Sequence, residues 1–130
     1  MDDELDFLTE NAEQPAAAVA LESVRSELLD WAAAALTARH PHLRAERGTQ
    51  HVAHARRDLD AHIRHLHNAL ARSDAGELAA YLRWADRQPQ HAHLADDLAI
   101  LLESLVRFVP GPHAALCCEL VRSAAAQIRP

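Results

Sequence analysis

The sequence predicts an all-α protein, a compact bundle of about five helices with two long N-terminal helices followed by three shorter ones. Apolar residues recur every three or four positions through successive segments, which is the period of one helix face. Only three glycines occur in 130 residues, too few for the turns of a hairpin-rich sheet. Apolar residues make up 49% of the chain and charged residues 25%, the balance of a folded globular protein rather than a disordered one. The length suits one domain. We divide it into an acidic tail, residues 1–14, expected to be flexible, and a single helical-bundle domain, residues 15–130.

The elements follow in order. Leu5, Phe7 and Leu8 among the acids of the tail allow one or two amphipathic turns. Pro15 stands where helices favour a start, and Leu21, Val24, Leu28, Trp31 and Ala35 step by three and four. A first long helix is expected from about Ala16 to Arg39, ended at His40-Pro41 because the residue before proline is pushed out of helical space. After Pro41 and Gly48, Thr49 is a reasonable N-cap, and Val52, Ala55, Leu59, Ile63, Leu66 and Leu70 mark a second long helix to about Arg72. Asp74-x-x-Glu77 has capping-box spacing and opens a short third helix carrying Leu78, Tyr81, Leu82 and Ala85, which stops before Pro89. Leu94, Leu98, Leu101, Leu105 and Phe108 form the cleanest seam, widened by Leu102 and Val109, and suit a helix buried against two neighbours. Past Pro110-Gly111-Pro112, a last helix places Cys117, Leu120, Val121, Ala124 and Ile128 on one side. Leu29, Leu36 and Ile100 look like surplus apolar surface, from which a homodimer is expected.

Charge excludes some functions. Six acids and no base fall in the first fourteen residues, and the remaining thirteen acids balance thirteen basic residues, all arginine. The body is therefore neutral and the tail acidic, which argues against nucleic-acid binding, where a basic patch must displace counterions. No segment approaches the ~18 apolar residues of a membrane span, and the N-terminus shows no signal-peptide pattern. Cys117 and Cys118 are adjacent, pointing about 100° apart on a helix and poorly placed to bridge. Reduced thiols in a cytoplasmic protein are expected.

The second helix holds most of the chemistry. His51, His54, Asp58, His62 and His65 are spaced by three or four and form one stripe. Imidazoles and a carboxylate at that spacing can converge on a metal ion, and a small bundle can hold a haem between helices through a histidine. His91 and His93 could add ligands if the fold brings them across. The alternative is a solvated, histidine-rich helix flank. Glu-x-x-His and His-Glu-x-x-His are absent, as are a phosphate-binding glycine loop, a Gly-x-Ser-x-Gly elbow and a calcium loop. Tyr81 and Trp84 are expected to be core or interface anchors.

Arg57-Asp58-Leu59-Asp60-Ala61-His62 resembles the arginine-polar-x-x-x-histidine signature of the HEPN family of all-α ribonucleases. That likeness would make Arg57 and His62 catalytic, the histidine by acid–base work and the arginine by charge stabilisation.

A second resemblance covers about His40 to Val109. His40-Pro41-His42-Leu43, Arg57-Asp58 with His62 and Leu66, Ala69-Leu70, and Tyr81 with Trp84-Ala85 are similar to the helical region that precedes cobalamin-binding domains in bacterial regulatory proteins. Ala61 stands where an aromatic usually precedes the histidine, and the cobalamin motif Asp-x-His-x-x-Gly is absent. The resemblance implies a sensory or regulatory helical module with Asp58, His62, Tyr81 and Trp84 as its shared core, the histidine held by the aspartate or the tyrosine.

The expectation is thus a non-enzymatic regulatory or protein-interaction module in bacterial signalling or stress regulation. It is expected to be homodimeric and without a cofactor, and its tail residues Leu5, Phe7 and Leu8 would dock on a protein partner. A metal or haem sensor and a HEPN-like ribonuclease stand as alternatives.

Overall fold

The computed structural model describes residues 2–128, with side chains over 12–128. It is an all-α bundle: α1 (Asp2–Arg39), α2 (His42–Arg47), α3 (His51–Ala71), α4 (Ala75–Asp86), α5 (Leu94–Phe108) and α6 (Gly111–Ala126). Short 3-10 turns at Gly48–Gln50 and Pro89–His91 precede α3 and α5, and no strand occurs among the described residues. The long α1 packs most extensively on α3, then on α5 and α6, while α4 packs on α6 and α3. Arg25 pairs with Asp60 and Asp30 with Arg56, so α3 runs antiparallel to α1. Trp31 meets Phe108 and Arg39 meets Glu103, so α5 does the same.

The core is the apolar stripe of each helix: Leu21, Leu28 and Leu36 of α1, Leu59, Ile63, Leu66 and Leu70 of α3, and Leu101 and Leu105 of α5, all essentially sealed from solvent. Leu29, Leu36 and Ile100 are buried as well. Because α1 is flanked by α3, α5 and α6, and α5 by α1 and α6, their apolar arcs are covered from several sides, and the residues that argued for a dimer are covered within one chain. Val52 is a correction in the other direction: it is exposed, lying one residue into α3 at the rim of a shallow groove with Ala34, Thr37 and Pro41.

Three boundaries differ from expectation. Pro15 lies inside α1 instead of opening a helix. Its fixed φ suits both situations, and only the preceding chain decides between a start and a passage. The side chains of Leu5, Phe7 and Leu8 lie outside the described residues. Thr49 is in the 3-10 turn, and α3 begins after Gln50 with no side-chain cap; Gly48, at φ 65°, makes the corner. Asp74 does precede α4, but its side chain makes no cap bond, and Glu77 instead meets Arg72 at 3.3 Å.

The end of α3 explains that exchange. Ser73 adopts φ 50°, its N–H bonds the Leu70 carbonyl at 3.2 Å, and the Asp74 N–H bonds the Ala69 carbonyl at 2.8 Å. This paired pattern is a Schellman stop, with serine at the left-handed position usually held by glycine. It turns the chain sharply and sets α4 beside α3.

Candidate functional site

His62, His91, Asp97 and Ser104 are the buried residues of polar or charged type among those described. Ser104 donates its hydroxyl hydrogen to the Leu101 carbonyl of its own helix at 2.8 Å. The other three meet at one place. His62 stands in the middle of α3, three residues after Leu59 and four before Leu66, and therefore points into the bundle. Asp97 lies in the first turn of α5, where the helix dipole favours a negative charge. His91 ends the 3-10 turn that begins after extended Gln88, the conformation the residue before a proline prefers.

His62 Nε2 lies 3.1 Å from Asp97 Oδ2, and Nδ1 lies 2.7 Å from the Tyr81 hydroxyl. An ionised carboxylate only accepts, so the Nε2–H donates to Asp97, and in the neutral tautomer with its proton there Nδ1 accepts from the Tyr81 O–H. Burial raises the Tyr81 hydroxyl well above its ordinary range, with the charges of Asp58 and Asp97 adding to it, which keeps that donor protonated. The His91 ring stands 5.3 Å from that of His62, and its Nδ1 is buried with no hydrogen-bond partner. Burial, then the neighbouring His62, lowers the His91 pKa and favours its neutral form. Since α5 packs chiefly on α1 and α6, the His62–Asp97 bond joins α3 to a helix it otherwise meets little.

Outside this knot the aromatic rings form a layer. His65 stacks on Tyr81 at 3.7 Å and 11°, and burial lowers its pKa. Trp84 lies 6.0 Å from Tyr81 and 6.1 Å from His91 and is 50% exposed. An open cavity of about 450 Å³ lies over this layer, lined by His65, Glu77, Ala80, Tyr81 and Trp84.

The sequence stripe is not one site. Among the described residues, no metal-competent cluster contains more than His62 of the five. His51 Nδ1 lies 3.0 Å from the Gly48 carbonyl, Asp58 faces Arg47 at 3.6 Å, and His54 lines a separate groove. The stripe shares one face but is spread over about 21 Å of helix axis, so its members meet different neighbours once α4 and the Pro89–His91 turn pack against α3. Of the shared core implied by the resemblance, His62 and Tyr81 bond directly and Trp84 packs on Tyr81. Asp58 stands apart, and Asp97 holds the histidine in its place. Arg57 is exposed beside that groove while His62 is sealed in the knot, so the two do not open on a common cleft.

Asp97 is the residue that pattern reading missed. The signal was present: an acid between Leu94, Leu98 and Leu101 sits on the buried seam itself. His91 does cross to His62, whereas His93 Nε2 pairs with Glu46 at 2.9 Å. Cys117 and Cys118 are both free and buried. Burial pushes the Cys117 thiol up to about 12, far from a reactive thiolate. No helix among the described residues is long and apolar enough to cross a membrane. Compared with known proteins, the chain matches no family model, and no curated protein matches it.

Proposed function

We propose that this chain is a non-enzymatic regulatory module acting through protein–protein contact, a cytoplasmic homodimer or the docking unit of a larger regulator. The observation that carries this reading is Trp84, a large aromatic half in water beside an open cavity. Tryptophans in that position are typical anchors of interfaces. Its ring also rests on Tyr81 and His91, so whatever covers it touches the network that links α3, α4 and α5. The acidic segment 1–14, with Leu5, Phe7 and Leu8, is a second contact in this reading.

Trp84→Ala tests it directly. Light scattering and affinity capture from the source cells should show self-association or partner retention weakened at least tenfold, with an unchanged circular dichroism spectrum. A variant that keeps every interaction of the parent would sink the Trp84 reading. Deleting residues 1–14 separates the second contact from the first.

A further inference from the structure

We infer that His62, His91 and Asp97 form a binding site for one first-row divalent metal ion of the zinc or ferrous type. Each residue offers one ligand atom, these atoms all lie within 4.8 Å of one another, and all three residues are buried. Two imidazoles and one carboxylate are a donor set for zinc or ferrous iron that leaves further positions open for water or a small ligand.

Four features separate this cluster from a purely structural hydrogen-bond network. The first is the orphaned His91 Nδ1, a buried polar atom with no hydrogen-bond partner, whose lone pair is free to ligate. The second is spacing. Metal–nitrogen bonds of about 2.0–2.1 Å place tetrahedral ligands about 3.3 Å apart. His62 Nε2 and Asp97 Oδ2, at 3.1 Å, already stand at that separation. Only His91 has to move inward, by about 1.5 Å or less, and it sits on a three-residue 3-10 turn rather than a long helix.

The third feature is charge: Asp58 is paired with Arg47 at 3.6 Å, which leaves the buried Asp97 carboxylate to meet an incoming cation. The fourth is the outer partner. With Nε2 on the metal, His62 carries its remaining proton on Nδ1 and donates it to the Tyr81 oxygen, the second hydrogen bond that orients metal-binding histidines. Uptake then exchanges the His62 tautomer while Tyr81 keeps its place. The site adds a ligand to the module proposed above without depending on its docking face. His91 nevertheless touches Trp84, so occupancy reaches that surface.

The experiment is titration of the metal-stripped full chain with Co²⁺ and with Zn²⁺ against a chromophoric chelator. Trp84 fluorescence and the cobalt ligand-field bands serve as readouts. We expect one equivalent bound tightly. His91→Ala should bind more than 100-fold more weakly while retaining the parent's helix content. The competing surface group is His40, His42 and Asp96, so a His40→Ala/His42→Ala variant is expected to bind like the parent. Absence of stoichiometric binding, unchanged affinity in His91→Ala, or loss of binding in the His40→Ala/His42→Ala variant would each overturn the proposal. Should His91→Ala not fold, zinc-edge absorption of the parent decides. Two imidazoles and an oxygen donor support the site, and three or more imidazoles overturn it.

Discussion

One helix, α3, builds two unlike regions. Toward α1 it presents Leu59, Ile63, Leu66 and Leu70, an apolar stripe whose attraction has no direction and spreads over many contacts. Toward α4 and α5 it presents His62, whose bonds to Tyr81 and Asp97 are two, directional and sealed from water. The apolar side is redundant, so losing a methyl group leaves its neighbours in place. The polar side is not, because removing one member strands another. Stability is thus shared along the α1–α3 seam, and it concentrates at one point where α3, α4 and α5 meet.

His62→Ala should break that comparison most visibly. It leaves the Asp97 carboxylate buried without its partner, for which the expected loss is about 3–5 kcal/mol in urea unfolding. Tyr81→Phe comes next. It keeps the ring on His65 but takes the donor from His62 Nδ1, at a cost of about 1–3 kcal/mol. Ile63→Val, one residue from His62 but in the apolar stripe, should cost only about 0.5–1.5 kcal/mol. If His62→Ala proves no more damaging than Ile63→Val, stability is not concentrated at the knot, and the two faces of α3 are energetically alike.

The same contrast explains what the sequence made legible. Helices α3, α4, α5 and α6 fall within a few residues of their expected places because a repeat of three and four, with proline and glycine punctuation, is written locally. Pro15 misled because a proline says which backbone angle holds and not whether a helix precedes it. Short α2 went unseen because six residues carry too little periodicity to register. The knot was half legible. His62, Tyr81 and His91 were singled out, yet their meeting depends on the turn at Ser73 and the placement of α5, which no local pattern contains. Asp97 was legible by position, an acid on the leucine seam itself, but the partner that makes its burial tolerable lies on another helix. The surplus assigned to Leu29, Leu36 and Ile100 failed for a related reason, since a helix packed on two or three others needs a wider apolar arc than one lying on a flat neighbour.

The smallest expected effect sharpens the comparison from the rim of the apolar face. Asp60 of α3 accepts from Arg25 Nε at 3.0 Å and also pairs with Arg64. Burial pushes its carboxyl up, but the bonds and charges of Arg25, then Arg64, outweigh this and hold it below the usual carboxylate range. A depressed carboxyl stabilises the fold above its unfolded pKa of about 3.9, and the contribution fades as pH falls through the lower folded value. Arg25→Ala should therefore cost about 0.2–1 kcal/mol at pH 7. The gap between variant and parent should close below the folded pKa, and high salt at pH 7 should shrink it. His62→Ala should show no such salt dependence, because Asp97 lies where ions do not reach. If instead the Arg25 gap survives unchanged at low pH, the arginine acts through the packing of its aliphatic stem, and the rim belongs with the apolar face rather than with the ion pairs.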